Sequence, residues 1–134
     1  MAVSHKIDEI KGLDVGIQRK LEAGGIRSVE ELLKESATPQ QRSMLARKLG
    51  IDASQLVEWV TRADLMRLKG VGAEMAALLE ECGVESCEEL QYRKAGILHI
   101  RLKETNDARQ IADHSPTLAQ VGGWIKEAED LATQ

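Results

Sequence analysis

Leu65-Met66-Arg67-Leu68-Lys69-Gly70-Val71-Gly72-Ala73-Glu74-Met75-Ala76-Ala77-Leu78-Leu79 is the stretch on which the fold turns. Gly70 and Gly72 permit backbone angles barred to other residues, so the chain can reverse tightly here. Val71 fills the gap between the two helices that flank the turn, and Leu68 and Leu79 pack them together. The same plan stands 58 residues earlier, where Lys11-Gly12-Leu13 aligns with Lys69-Gly70-Val71. Across residues 11–32 and 69–90, nine of 22 positions are identical, among them Gly12/Gly70, Leu21/Leu79, Gly25/Gly83, Ser28/Ser86 and Leu32/Leu90. Ile7/Leu65, Ile10/Leu68, Ile17/Met75 and Ile26/Val84 agree in kind. Further on the offset becomes 65, with Trp59-Val60 matching Trp124-Ile125 and Ala63 matching Ala128. Self-similarity at a fixed period is the mark of a repeated supersecondary unit.

Local signals make each segment helical. Ile7 and Ile10 form one side of a short helix that Gly12 ends. Asp14 caps the next helix, which carries Ile17 and Leu21 and stops at Gly24-Gly25. Ser28-Val29-Glu30-Glu31 and Ser86-Cys87-Glu88-Glu89 read as capping boxes. Thr38-Pro39-Gln40-Gln41 places a cap and then proline at the first helical position. Met44, Leu45 and Leu49 are expected on the apolar side of that helix, and Gly50 ends it. Ser54 opens a long amphipathic stretch with Leu56, Val57, Val60, Ala63 and Leu68. Ser115-Pro116 opens the last helix, with Leu118, Val121, Ile125 and Leu131. The pattern is weakest from Asn106 to Ser115. No run alternates with period two for long enough to be a strand. The expectation is an all-α, compact multi-helix domain of two repeats, 1–62 and 63–134, sharing one core. Thr61 to Asp64 joins them inside a helical pattern rather than through a linker.

The stretch 65–79 resembles a helix-hairpin-helix motif. The first copy departs from it, with Asp14 where the second glycine would stand. Taken with Trp59-Val60-Thr61-Arg62-Ala63-Asp64-Leu65-Met66-Arg67, residues 5–132 resemble a bacterial domain-of-unknown-function family built from duplicated helix-hairpin-helix-like units. That resemblance implies the fold and no particular activity. Helix-hairpin-helix units in general contact DNA backbones without regard to sequence, through free amides at the hairpin and a neighbouring cation.

Composition bears on that use. The 134 residues carry a net charge of −4 and a pI near 5.4. Residues 1–62 hold ten Lys/Arg and nine Asp/Glu, whereas residues 63–134 hold eight and thirteen. Any nucleic-acid contact is therefore expected in the first half, at Arg19, Lys20, Arg42, Arg47 and Lys48. Asp14 would take amides that a phosphate needs, and Glu74 adds a carboxylate beside the second turn. Such a loss of charged hydrogen bonds costs about 1–3 kcal/mol per site. Phe is absent, and Trp59, Tyr92 and Trp124 are the only aromatics, too few for a stacking platform on single strands.

Other chemistry finds little support. Cys82 and Cys87 lack the spacing of a redox or zinc pair, and their repeat partners Gly24 and Val29 point to packing. His5, His99 and His114 are scattered, and the paired glutamates belong to solvated helix starts. No nucleophile elbow, phosphate loop or dinucleotide fingerprint is present. We therefore expect no catalytic residues, no cofactor and no metal. No apolar run is long enough to span a membrane, and Met1 to Lys11 lack a signal pattern, which points to the cytoplasm. Trp59 and Trp124 recur at equivalent places. Each either covers the joint between its long helix and the hairpin or stands partly exposed as a partner anchor. The hairpin turns are placed at Gly12, Leu13, Asp14, Gly70, Val71 and Gly72, and the leading expectation is a non-catalytic scaffold that binds another macromolecule, a protein. Weak, sequence-independent binding of duplex DNA through the first repeat is the alternative, disfavoured by the acidic charge.

Overall fold

The computed structural model describes residues 5–133. A single 3₁₀ turn over Ile7–Glu9 is followed by α1 (Val15–Ala23), α2 (Val29–Glu35), α3 (Pro39–Leu49), α4 (Ala53–Leu65), α5 (Ala73–Glu81), α6 (Cys87–Leu90), α7 (Ala95–Arg109) and α8 (Leu118–Ala132). Among the described residues there is no strand, only an isolated bridge between Lys6 and Ser28. The molecule is all-helical. Its internal contacts divide it into two units, residues 5–64 and 65–133.

The element order repeats. Helices α1 and α5 are both nine residues long and start 58 residues apart, as do α2 and α6; α4 and α8 start 65 apart. The helix exits repeat as well. In the first unit Ile26 N–H donates to Leu21 C=O at 2.9 Å and Gly25 N–H to Glu22 C=O at 3.0 Å. In the second, Val84 N–H donates to Leu79 C=O at 3.1 Å and Gly83 N–H to Glu80 C=O at 2.9 Å. Each is a Schellman motif with a glycine in the left-handed region, at φ +89° and +87°. The apolar pairs Leu21/Ile26 and Leu79/Val84 that clasp the two motifs are fully buried.

Helix starts follow the sequence with local corrections. Asp14 Oδ1 accepts from Ile17 N–H at 2.8 Å. Thr38 and Gln41 form a reciprocal capping box with Pro39 at the first position. Ser28 and Ser86 accept from Glu31 and Glu89 N–H, but the glutamates reach back to the amides of Arg27 and Glu85, one residue short of the serine. Asp52, not Ser54, caps α4: its Oδ1 accepts from the amides of Ser54 and Gln55. The Ser54 hydroxyl and these amides hold the Asp52 carboxyl below its ordinary value. Helix α8 begins two residues later than Ser115-Pro116 suggested, with Thr117 and Gln120 as its capping box. Three expected core residues face solvent: Met44, Val57 and Leu118 are each about half exposed or more. The sides that turn inward are Leu45/Ala46 on α3, Leu56/Trp59/Ala63 on α4 and Val121/Trp124/Ile125/Ala128 on α8.

The segment with the weakest pattern is ordered by one side chain. Asn106, 6% exposed, donates from Nδ2 to Ala112 C=O at 3.1 Å and accepts from Ala112 N–H at 2.8 Å. Helix α7 ends there with Gln110 at φ +51°, a conformation that costs a non-glycine residue strain.

Candidate functional site

Each unit is organised around a glycine turn. Gly12 and Gly70 have φ +88° and +82°, the left-handed region that only glycine enters at no cost. Gly72 does not share that demand. Its φ is −91° and a Cβ there would meet open space. The expectation that both glycines of the second turn are conformationally required is therefore corrected to Gly70 alone.

A tryptophan lies against each turn. In the second unit Trp124 Nε1 donates to Lys69 C=O at 3.0 Å, and a Cβ on Gly70 would stand 3.6 Å from that nitrogen. The N–H of the same residue, Lys69, donates to a Glu127 carboxylate oxygen at 3.0 Å. In the first unit Trp59 Nε1 lies 3.8 Å from where a Gly12 Cβ would be. There the Lys11 carbonyl accepts from the Arg62 guanidinium at 2.7 Å. Trp59 and Trp124 are 4% and 5% exposed. Neither indole offers a face to a partner, which corrects the reading of them as exposed anchors; each covers its own joint. Arg62 and Glu127 were missed in the sequence. Their signal is the position three residues after each tryptophan, where the 65-residue offset aligns an arginine with a glutamate.

Leu13 is half-buried and Asp14 exposed, whereas Val71 is buried at 2%. Asp14 occupies the first turn of α1 as an internal cap. Helix α5 has no side-chain cap at Gly72, and Glu74 sits exposed in its first turn.

The basic residues of the first unit divide into two sets. Gly24 at the exit of α1 lies against Leu49 at the exit of α3, where a Cβ would stand 3.4 Å from Leu49 Cδ2. Lys20, Arg47 and Lys48 are exposed in the last turns of those neighbouring helix ends, and Arg19 is exposed beside Lys20. Cations there complement the helix dipoles. Arg42, by contrast, is half-buried and donates to Ser36 C=O at 3.0 Å, so it serves the chain's own backbone.

In the second unit, partial burial pushes the Glu89 carboxyl up, but bonds from the Arg93 guanidinium and the Glu85 amide hold it below its ordinary value. Arg93 bridges Glu89 at 2.6 Å to Gly83 C=O at 2.7 Å, which ties α6 to the exit of α5. Cys82 and Cys87 are both buried free thiols, and burial raises the Cys82 thiol above its ordinary value. Two open depressions mark this unit. One of about 530 Å³ includes Arg67, Cys87, Tyr92, Ala128 and Leu131 in its walls. The other, about 740 Å³, lies over the loop after α7 and is lined by Asn106, Asp107, Gln110, Asp113 and His114. Among the described residues no three His, Cys, Asp or Glu side chains gather as a metal-holding group. No described helix is long and apolar enough to cross a membrane.

A family model matches residues 12–131, most of the chain. The chain belongs to that family, described as Domain of unknown function (DUF4332). The match begins at Gly12, the glycine of the first turn, and ends at Leu131 in α8, so the family takes in both units. No curated protein and no solved structure matches the chain.

Proposed function

We propose that this chain is a non-catalytic helical module that binds another protein, built from two helix-hairpin-helix-like repeats. The observation that supports this reading is the occupancy of the glycine turns by the chain's own carboxylates. A hairpin that holds a phosphate needs free amides and a nearby cation. Here Asp14 accepts from Ile17 N–H at the first turn, and Glu127 accepts from Lys69 N–H at the second. An incoming phosphate would meet negative charge at both places. The turns act instead as rigid joints that present helix surfaces.

Fluorescence anisotropy with a labelled duplex tests the reading at low and at physiological salt. We expect binding no tighter than about 10⁻⁴ M at physiological salt, the weak end of nonspecific association. Micromolar binding that Arg19→Glu and Lys20→Glu abolish would transfer the function to recognition of the DNA backbone by the first repeat.

A further inference from the structure

We propose that the first glycine turn receives a single carboxylate, an aspartate or glutamate side chain of a protein partner. The indole N–H of Trp59 and the guanidinium of Arg62 hold it over Gly12. The inference rests on the protein-binding reading above and names the chemistry that the partner brings. It starts from an indole without an acceptor. In the second unit Trp124 Nε1 donates to the Lys69 carbonyl. In the first, Arg62 donates to the Lys11 carbonyl instead, and Trp59 Nε1 donates to no described residue. Yet Trp59 is only 4% exposed, and a buried indole N–H ordinarily has a partner.

The glycine marks where the acceptor belongs. The point that a Gly12 Cβ would take is 3.0 Å from an Arg62 nitrogen and 3.8 Å from Trp59 Nε1, with no other side chain within 4 Å. Lys11 and Gly12 are exposed, so the approach is open. An oxygen standing over the bare Cα is therefore bordered by both donors. At Gly70 the corresponding point has only Trp124 Nε1 near it, at 3.6 Å, and that N–H is already committed to Lys69.

The donors select a carboxylate. A guanidinium matches its planar pair of oxygens, and the charge makes such bonds stronger than those to a neutral carbonyl. A row of phosphates fits less well. The amides at the start of α1 that a phosphate would use face Asp14, and Asp14 and Glu58, both exposed, adjoin Leu13 and Trp59 in the chain. One carboxylate needs only the two donors, whereas a polyanion must also lie against those acids. Val15, 61% exposed three residues past Gly12, offers apolar surface to the stem of the entering side chain.

Titration of the full chain with a capped hexaglutamate peptide, followed by proton–nitrogen correlation spectra, tests the proposal, because each indole gives its own resonance. The Trp59 Nε1–H signal, assigned by its loss in Trp59→Phe, should move downfield and saturate while that of Trp124 stays. The neutral hexaglutamine peptide should move neither. Arg62→Gln should weaken hexaglutamate binding about tenfold. Gly12→Ala sets a methyl between the donors and should abolish the shift, with circular dichroism reporting the fold; the unaltered chain decides the matter if either variant unfolds. A silent Trp59, an equal response to hexaglutamine, or binding indifferent to folded Arg62→Gln and Gly12→Ala overturns the proposal. A shift of the same indole at lower concentrations of duplex DNA than of hexaglutamate assigns the turn to phosphate and also overturns it. The two readings fail separately. DNA binding that Arg19→Glu and Lys20→Glu abolish, with Trp59 unmoved, would sink the protein-binding reading, whereas silence of Trp59 toward peptide and DNA alike would sink only this receptor.

Discussion

The two glycine turns solve one problem with opposite charges. Both use a left-handed glycine, both lie under a buried indole, and both precede a nine-residue helix that ends in a Schellman motif. They differ in how the backbone of the lysine before the glycine is satisfied. The Lys69 carbonyl accepts from the Trp124 ring, and the Lys69 N–H donates to Glu127. At Lys11 the carbonyl is met by a donor, Arg62. Arg62 and Glu127 stand at the same place in the repeat, three residues after the tryptophan. The side chain at that place thus matches the backbone group of the lysine that it meets, a carbonyl for Arg62 and an N–H for Glu127. A tight turn withdraws backbone groups from regular helix bonding, and some other element has to complete them.

The comparison is open to measurement by chemical denaturation. The largest effect belongs to the indoles: Trp124→Ala should cost about 3–5 kcal/mol through lost burial and the cavity left behind. Trp124→Phe, which keeps most of the apolar area but removes the donor to Lys69, should cost about 1 kcal/mol more than Trp59→Phe, because Arg62 still serves Lys11. Equal costs for the two Phe variants would show that the turns are not satisfied differently.

The glycines come next. Gly70→Val and Gly12→Val should each cost about 1–3 kcal/mol, since valine is strained at a positive φ. Gly72→Ala should be neutral or stabilise by up to about 1 kcal/mol, because its angles suit alanine and the space is open. If Gly72→Ala proves as costly as Gly70→Val, the assignment of the turn to Gly70 fails.

The smallest effect concerns acid. Glu89 has a folded pKa below its unfolded one, so the unfolded chain binds more protons there and stability rises with pH up to about 4.3, the ordinary glutamate value. That contribution is lost as pH falls through the folded value. Glu89→Gln should therefore flatten the loss of stability between about pH 5 and 3 by less than about 1 kcal/mol. An unaltered acid profile would remove Glu89 from the account of the second unit.

The helices were legible because their signals are local. Asp14, Thr38 and Ser86 cap helices from within three residues, and the glycines at 25, 50 and 83 stop them, so neighbours in the chain carry the information. The candidate site was less legible. The basic residues Arg19, Lys20, Arg47 and Lys48 stand where exposed helix ends put them, but Arg42 was drawn to the Ser36 carbonyl, a contact no spacing rule announces. Exposure was harder still. Met44, Val57 and Leu118 fit the apolar side of a helical wheel and yet face solvent, because a periodic pattern gives an axis of asymmetry and not the direction of the neighbouring helix.

The repetition, the helices up to Leu90, the caps at Asp14, Ser28, Thr38 and Ser86 and the left-handed glycine at each turn were written in the order of residues alone, because each depends on backbone angles and on bonds spanning a few positions. Helix α7 and the caps at Asp52 and Thr117 were not read there. The tertiary structure decided the rest. It placed both tryptophans against their turns, set Arg62 and Glu127 on the backbone of one lysine apiece, and left Ile97 and Ile100 outside a helix whose Leu98 and Leu102 are buried. Those outcomes join residues roughly fifty positions apart, or depend on which face of a helix finds a neighbour. Both are fixed by packing geometry, which a linear pattern does not contain.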